Sequence, residues 1–382
     1  MSIDRIPLAS PDIEEADVEA VVAVLRSGRL SRGPAIAAFE AGFADYHGVA
    51  ASVGVSSGTA GLMCALDAVG VRPGDQVITV SLSFVATANS IVRLGAEPVF
   101  VDVSPGDLNM DPDAISAAVT DRTRAIVVVH LFGQLADMAA ITAVAARHGL
   151  AVVEDACEAL GARNEHSHAG TLGDVGVFGF YANKPITTAE GGCIVSRSRP
   201  IIDTCRRLRN HGRDEDGAYR VPMAGFNFRL SELQAALGLA QLSRLPDMLE
   251  KRQSAADRYY ELLGHIDGLR LPDSPRDNAR HAWFTFPVRL PTKLAGDRET
   301  IRQELRAAGI ETGNYFHPIH LLPYYRSVRA GGEAMSAERE NLSVTEAESK
   351  RLLALPLYPG LSEAGIQRVA KELEFAIERR SN

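Results

Sequence analysis

The sequence predicts an α/β fold: a large domain on a mostly parallel sheet with one antiparallel strand, followed by a smaller α+β domain. Between residues 75 and 156, short Val- and Ile-rich runs alternate with helical stretches, which is typical of parallel strands joined by helical crossovers. The two apolar runs around Lys184 are joined too closely for a helical crossover, so one of them should run antiparallel. At 382 residues, the chain also exceeds the size that a single hydrophobic core usually serves.

The first half of the chain supplies the elements of the predicted sheet. Residues 12–26 have helical periodicity and an acidic start, which predicts an N-terminal helix. The alternating segments that follow are predicted strands at 75–80, 97–103, 124–133 and 150–156, with predicted helices at 84–95 and 137–149. Right-handed crossovers would then place the carboxyl ends of these strands at one edge.

The second half of the chain predicts the smaller domain. A long helical region spans 230–263, with Ser231 as its N-cap. Apolar runs at 281–290 and 352–360 bracket predicted helices at 298–308 and 362–379. We therefore predict a large domain at 12–245 and a small domain at 246–382, with residues 1–11 packing on the small one.

Composition and charge narrow the class of protein. The chain is 46% hydrophobic and 23% charged, with a formal charge of −8 and no basic patch, which argues against nucleic acid as a partner. No apolar stretch is long enough to span a membrane, and the N-terminus lacks a signal-peptide pattern. Four cysteines without a CxxC pair indicate reduced thiols and no metal site. We expect a cytoplasmic location.

Residues suited to ligand binding follow several of the predicted strands, where α/β sheets bind their ligands. Gly58 and Thr59 follow an early strand at a helix start that suits a phosphate. Phe84 follows the next strand and suits stacking on a planar ring, although Thr59 could be a plain N-cap and Phe84 a core residue.

An acid and a lysine complete this edge of the sheet. Asp155 stands at the end of the strand at 150–156, Glu158 follows it, and Lys184 comes 29 residues after Asp155. A charge at the end of a buried strand is costly unless it is paired or neutralised, so a functional role outweighs the simpler interpretation of Lys184 as a surface residue. Together, these residues predict a ligand that is planar, phosphorylated, basic at a ring nitrogen and able to form an imine. Pyridoxal 5′-phosphate (PLP) meets all four requirements.

The sequence resembles the DegT/DnrJ/EryC1/StrS family of PLP-dependent sugar aminotransferases. The resemblance runs through nearly the whole chain and rests on "SSGTAGL", "EDACEALGA", "NKPITTAEGG" and "GFNFRLSELQAALG". It implies the aspartate-aminotransferase-like fold, which is fold type I of the PLP-dependent transferases. It also implies a homodimer with shared active sites.

The resemblance assigns roles to individual residues. Lys184 would be the imine lysine and proton shuttle, and Asp155 would pair with the pyridine nitrogen. The other implied cofactor contacts are Glu158 at the ring hydroxyl, Gly58 and Thr59 at the phosphate, and Phe84 on the ring. Asn227 would reach the phosphate in the neighbouring subunit, and Arg229, Tyr315 and His317 would contact the substrate.

One position departs from the family pattern. Many members have Ser-Phe before the lysine motif, and the hydroxyl of that serine holds the phosphate. This chain has Gly179–Phe180 at the same place. The phosphate contact is therefore missing, and we expect Asn183, next to Lys184, to substitute for it.

The predicted function is transfer of an amino group from L-glutamate to a keto sugar of a nucleotide diphosphate, of the 3- or 4-keto-6-deoxy type. One alternative is an enzyme of the same fold that acts on a cyclitol ketone or dehydrates a sugar. A non-catalytic, PLP-binding regulatory protein would need an output domain for which the chain has little room. A nicotinamide-dependent sugar enzyme is disfavoured because the chain has no GxGxxG fingerprint.

Overall fold

A computed structural model describes residues 5–214, 219–273, 279–327 and 342–381 of the chain. Within these ranges the chain forms a seven-stranded mixed sheet covered by helices and a separate two-stranded antiparallel sheet. The strands of the large sheet are β1 (Ala51–Val55), β2 (Gln76–Val80), β3 (Glu97–Val101), β4 (Thr123–Val129), β5 (Ala151–Asp155), β6 (Val175–Gly179) and β7 (Gly192–Ser196). The small sheet pairs β8 (Phe286–Arg289) with β9 (Leu352–Leu355).

The large sheet has the strand order β1-β7-β6-β5-β4-β2-β3. β7 runs antiparallel to both of its neighbours, whereas the other neighbouring strands pair in parallel. The predicted single antiparallel strand is therefore confirmed. The carboxyl ends of β1, β4, β5 and β6 consequently lie at one edge of the sheet.

Thirteen α-helices are present in the described residues. They are α1 (Glu15–Ser27), α2 (Pro34–His47), α3 (Gly58–Ala68), α4 (Ala86–Arg93), α5 (Pro112–Ala118), α6 (Met138–His148), α7 (Arg199–Leu208), α8 (Glu232–Ser243), α9 (Leu245–Leu263), α10 (Arg298–Ala307), α11 (Pro323–Ser327), α12 (Ser343–Ser349) and α13 (Glu363–Ser381).

The region predicted as one helix at 230–263 is two helices. Ser231 caps α8 as predicted, and its hydroxyl accepts the backbone N–H of Gln234. The chain leaves regular helix at Arg244, which has φ −99° and ψ 0°, and α9 begins immediately after it. Pro246 stands in the first turn of α9, where its missing N–H costs nothing, but it cannot continue the hydrogen-bond ladder of α8.

The strand predicted at 124–133 ends earlier, at Val129. A single 3-10 turn, Leu131–Gly133, follows it. Phe132 has φ +59° and Gly133 has φ +97°, so both lie in the left-handed region and neither can continue a strand.

Buried apolar residues form a core around the large sheet and a second core around the small one. Helix α9 contributes to both, since Met248 packs with Phe39 in the first and Tyr259 packs with Phe286 in the second. Ile6 packs into the second core and pairs with Ile310, whereas α1 packs along α8. The predicted boundary between 245 and 246 falls at the start of α9 and stays a prediction.

Two further features bear on the predicted class. All four cysteines are free thiols. None of the helices in the described part of the chain combines the length and the apolar character that crossing a membrane requires.

Candidate active site

A cavity of about 420 Å³ opens at the edge where the strands of the large sheet end. It brings together residues from both halves of the chain. Eight residues predicted from the sequence line it: Gly58, Thr59, Phe84, Asp155, Glu158, Asn183, Lys184 and Tyr315.

Lys184 lies between an acid and an aromatic ring. Its Nζ is 3.7 Å from Oε1 of Glu158 and 4.0 Å from the ring centroid of Phe284. The lysine side chain is only 15% exposed. An ammonium that is largely removed from water therefore has one carboxylate and one π-face as neighbours, which offsets its desolvation.

Glu158 is buried and held from its other side. Its Oε2 accepts the backbone N–H of Phe132 at 2.9 Å. Burial raises the pKa of the Glu158 carboxyl, and the neighbouring Lys184 and the Phe132 N–H oppose that rise. The side chain faces Lys184 rather than open solvent.

Asp155 is the last residue of β5, and its carboxylate is fixed at both oxygens. Oδ2 accepts the Thr87 hydroxyl at 2.7 Å, and Oδ1 accepts the backbone N–H of Cys157 at 3.2 Å. Thr87 in turn lies 3.1 Å from the hydroxyl of Ser83. Asp155 is 7% exposed, so the protein holds its carboxylate in one orientation at the floor of the cavity.

The first turn of α3 forms one end of the cavity. The N-cap is Ser57, whose hydroxyl accepts the N–H of Ala60, so the interpretation of Thr59 as a plain N-cap is wrong. Gly58 and Thr59 are the first residues of the helix, where backbone N–H groups have no intrahelical partner. This turn offers N–H donors and the positive end of the helix dipole to an anion.

Phe84 lines the cavity as well. It is 59% exposed, which rules out the alternative that it is a core residue. Its ring centroid lies 6.3 Å from that of Phe316, which stacks with Tyr315. The wall offers aromatic faces to a planar ligand.

Asn183 has a buried side-chain oxygen without a partner in the described residues. The residue lies beside Tyr315. Burial raises the pKa of the Tyr315 hydroxyl, and a hydrogen bond with Asn183 opposes this rise. An amide oxygen in a cavity wall that has no protein donor can accept a hydrogen bond from a molecule in the cavity.

Three predicted residues lie outside this cavity. Asn227 is exposed and pairs with Asn210, whose side-chain oxygen accepts Nη1 of Arg229 at 3.0 Å. His317 is exposed as well. None of the three lines the cavity of this chain, and their roles stay predictions.

Several residues of the site were not predicted from the sequence. Thr87, which holds Asp155 without lining the cavity, carried a usable signal, because it follows Phe84 by one helical turn on the strand-end segment. Phe284 and Phe316 come from the second half of the chain and carried none. Cys157 and Glu190 stand within recognised motifs but were assigned no part in the site.

The residues present fit PLP. Lys184 offers the amine, Asp155 a fixed carboxylate for the pyridine nitrogen, and the first turn of α3 its N–H groups for the phosphate. The exposed ring of Phe84 and the unpartnered Asn183 oxygen suit a flat, polar ligand. Among the described ranges, no cluster of three metal-ligating side chains is found.

The fold and the site together define an enzyme of the PLP-dependent fold type I. The chain belongs to the DegT/DnrJ/EryC1/StrS aminotransferase family, whose model matches residues 11–374. It is 38% identical over 373 residues to GDP-perosamine synthase from Caulobacter vibrioides, and the match covers 97% of this chain and 98% of that protein.

Solved structures agree with this assignment. The aminotransferase TlmJ from Streptoalloteichus hindustanus superposes with a TM-score of 0.91 at 33% identity, covering 99% of this chain and 100% of TlmJ. NtdA from Bacillus subtilis, solved with bound cofactor PMP, superposes with a TM-score of 0.85 at 31% identity, covering 96% of this chain and 83% of NtdA. The protein is a PLP-dependent sugar aminotransferase, which confirms the predicted fold class, cofactor and type of reaction.

Proposed function

We propose that the protein transfers the amino group of L-glutamate to a keto sugar carried on a nucleotide diphosphate, of the 3- or 4-keto-6-deoxy type. The observation that carries the transfer chemistry is the meeting of Lys184 and Asp155 in one cavity. The nucleotide-sugar substrate is supported by the similarity to GDP-perosamine synthase along nearly the full length of both chains.

Each residue of the cavity has a distinct task in this proposal. PLP, when bound, supplies an electron sink for the carbanion that forms when an α-proton leaves the donor. Lys184 would hold the cofactor covalently, and its Nζ, once free, would take the α-proton of the donor as a general base. Asp155, fixed by Thr87, would keep a proton on the pyridine nitrogen. The first turn of α3 would bind the phosphate, and Asn183 would compensate for the serine that Gly179 replaces.

Glu158 has a second task in our proposal, besides the ring-hydroxyl contact that the resemblance implies. Its carboxylate is close to Lys184 Nζ and is fixed by the Phe132 N–H. We propose that it keeps the lysine amine pointed at the reacting carbon while the proton moves. A contact with the cofactor hydroxyl is compatible with this position, since one oxygen faces the cavity.

A second copy of the chain completes the site in our proposal. Asn227 and His317 are exposed, Arg229 is half-buried, and none of the three lines this chain's own cavity. We propose that Asn227 reaches the phosphate in a neighbouring subunit and that Arg229 and His317, together with Tyr315, contact the sugar nucleotide. We place the dimer in the cytoplasm.

The test supplies the purified enzyme with L-glutamate carrying an isotopic nitrogen label and with 3-keto and 4-keto nucleotide sugars in turn. We expect 2-oxoglutarate and a labelled amino sugar nucleotide from one of them, identified by mass spectrometry, and no product from the Lys184→Arg variant. L-Aspartate serves as the donor control. Label transfer only to a cyclitol ketone, or release of a dehydrated sugar without label, would contradict the proposed substrate.

A further inference from the structure

A buried histidine is hydrogen-bonded to a buried glutamate next to the strands that end at the cavity. His130 follows β4, and its Nε2 is 2.8 Å from Oε2 of Glu154 in β5. Both side chains are fully buried. Neither residue lines the cavity or has a task in the reaction described above.

The hydrogen bonds around His130 fix its tautomer. The backbone N–H of Ala136 donates to Nδ1 of His130 at 3.2 Å, so Nδ1 carries a lone pair. The ring proton is therefore on Nε2 and is donated to Glu154. A neutral imidazole in this state has both nitrogens satisfied.

Glu154 is saturated with donors. Besides His130, its oxygens accept the backbone N–H groups of Gly170 at 2.7 Å, Leu172 at 2.7 Å and Gly173 at 2.5 Å. Four donors compensate a carboxylate that has no access to water. Glu154 therefore ties β5 rigidly to the turn at 170–173. Through its hydrogen bond with Glu154, His130 attaches the segment after β4 to the same point.

That segment contains the strained turn Leu131–Gly133. Phe132 has φ +59°, which is uncommon for a residue other than glycine and persists only where the surroundings hold it. His130 holds the turn from one side through Ala136 and Glu154. Asn109 holds it from the other, because its Oδ1 accepts the N–H of Leu131 at 3.0 Å.

The same turn touches both neighbours of Lys184. The Phe132 N–H donates to Glu158, and the Phe132 carbonyl accepts the N–H of Phe284 at 3.1 Å. Glu158 and Phe284 are the carboxylate and the ring that lie against the Lys184 ammonium. The position of this turn therefore determines where both groups sit.

We propose that His130 is a positioning residue for the aminotransferase reaction: tied to Glu154 as a neutral Nε2–H imidazole, it holds the Leu131–Gly133 turn so that Glu158 and Phe284 stay against Lys184. His130 touches neither substrate nor cofactor. The inference rests on the proposed role of Lys184.

Two substitutions test the two hydrogen bonds of the His130 ring separately. His130→Asn keeps an acceptor near the position of Nδ1 and loses the donor to Glu154. His130→Gln keeps a donor near the position of Nε2 and loses the acceptor for Ala136. Both replacement side chains are uncharged, and each breaks one of the two hydrogen bonds through which His130 joins Glu154 to the turn. The same effect in both variants would therefore show that this connection matters. His148→Asn, at an exposed position of α6, is the matched control.

The first readout is the rate at which an amine-selective acylating reagent modifies Lys184 in the protein without cofactor, followed by peptide mass spectrometry. If the turn shifts in these variants, Glu158 loses its hydrogen bond from the Phe132 N–H, which raises the pKa of Glu158 further. The Lys184 ammonium then loses part of its negatively charged partner. We expect modification at a fixed pH on the order of threefold to tenfold faster in both His130 variants. We also expect kcat to fall about tenfold to a hundredfold with little change in the KM of the sugar.

The outcomes separate this inference from the proposed function. If both variants modify Lys184 at the wild-type rate and keep the wild-type kcat, the pair of His130 and Glu154 is only structural, even where the melting temperature falls. That result would overturn the inference. If wild-type Lys184 itself carries no cofactor, the proposed function fails instead. Asn109→Ser removes the other support of the turn and should shift the same readouts, which keeps the test valid if neither His130 variant folds.

Discussion

Two buried charges of the site are compensated in different ways. Asp155 accepts hydrogen bonds from Thr87 and from the N–H of Cys157, so neutral donors fix its carboxylate. Lys184 has a carboxylate and a ring beside it. A charge without such partners would have to be neutralised in the interior. Removal of a single partner should therefore affect both stability and activity.

Thr87→Val tests the support of Asp155. The substitution keeps the side-chain shape but leaves Oδ2 without its hydroxyl donor, which we expect to destabilise the protein by about 1–3 kcal/mol. Because the carboxylate can then turn away from its proposed partner, the pyridine nitrogen, kcat should fall about tenfold or more. Urea unfolding and steady-state kinetics measure the two effects. Thr142→Val on α6 is the control, and equal behaviour of the two variants would contradict the role of Thr87.

Gly179→Ser tests the departure from the family pattern. A Cβ at Gly179 would lie 3.4 Å from Sγ of Cys157, which is ordinary contact, so serine should fit. The added hydroxyl should slow PLP dissociation, measured as loss of cofactor during dialysis. Faster cofactor loss from Gly179→Ser would contradict this account.

Gly58 does not tolerate a side chain in the same way. A Cβ at Gly58 would lie 2.7 Å from the same Cys157 sulfur, so Gly58→Ala should destabilise the protein by about 1–3 kcal/mol.

At the scale of elements, one helix caps another. The N-cap of α2 is Gly33, which has no side chain to satisfy the first N–H groups of that helix. Glu232, in the first turn of α8, supplies both oxygens: it accepts the N–H groups of Gly33, Ala35 and Ile36. The carboxylate is buried at the positive end of the α2 dipole, so it links the two helices.

Glu232→Gln should therefore weaken the contact between α2 and α8. The amide keeps the shape but has a single acceptor oxygen and no charge, and its NH₂ group faces N–H donors. We expect a loss of about 1–3 kcal/mol in the free energy of unfolding, measured in urea. The control is Glu378→Gln, at an exposed position of α13. A similarly small effect in both variants would show that the cap contributes little.

The strands were predictable because each is a short apolar run, and β2 to β5 follow from such runs to within a few residues. The turn after β4 was not, because "VVVHLFG" continues the same apolar pattern. What ends the strand there is the set of tertiary hydrogen bonds to His130 and Asn109. The division between α8 and α9 was signalled by Pro246, although the helical periodicity continues through it.

At the scale of the whole molecule, the site joins distant parts of the chain. Gly58, Asp155 and Lys184 stand at or after the carboxyl ends of strands of one sheet, and their positions at its edge follow from the strand pattern. Phe284 and Phe316 reach the same cavity from the second half of the chain, and Phe316 packs against the core of the large sheet. Their contribution depends on how the second half of the chain packs against the large sheet, which periodicity in the sequence does not encode.

Buried histidines make the stability of the whole molecule depend on pH. Burial lowers the pKa of both His281 and His47 to about 3. Because the unfolded chain binds protons at these sites near the ordinary histidine pKa of about 6.5, stability is full above that value and falls as the pH drops toward 3.

His281→Asn isolates one of these contributions. Nδ1 of His281 accepts the N–H of Trp283, and an asparagine oxygen can keep this bond without titrating. The variant should be less stable at pH 7, because the stacking on Trp283 is lost, but its melting temperature should fall less between pH 7 and pH 4. Parallel curves for variant and wild type across that range would contradict the assigned protonation state.

The most direct test of the central claim is to find the residue that holds the cofactor. Borohydride reduction of the PLP-loaded enzyme fixes the cofactor to its amine, and peptide mass spectrometry locates it. We predict a pyridoxyl group on Lys184 alone, lost when L-glutamate is added before the reduction. A label on another lysine, or no label in an enzyme that retains its visible absorbance, would contradict the account of this site.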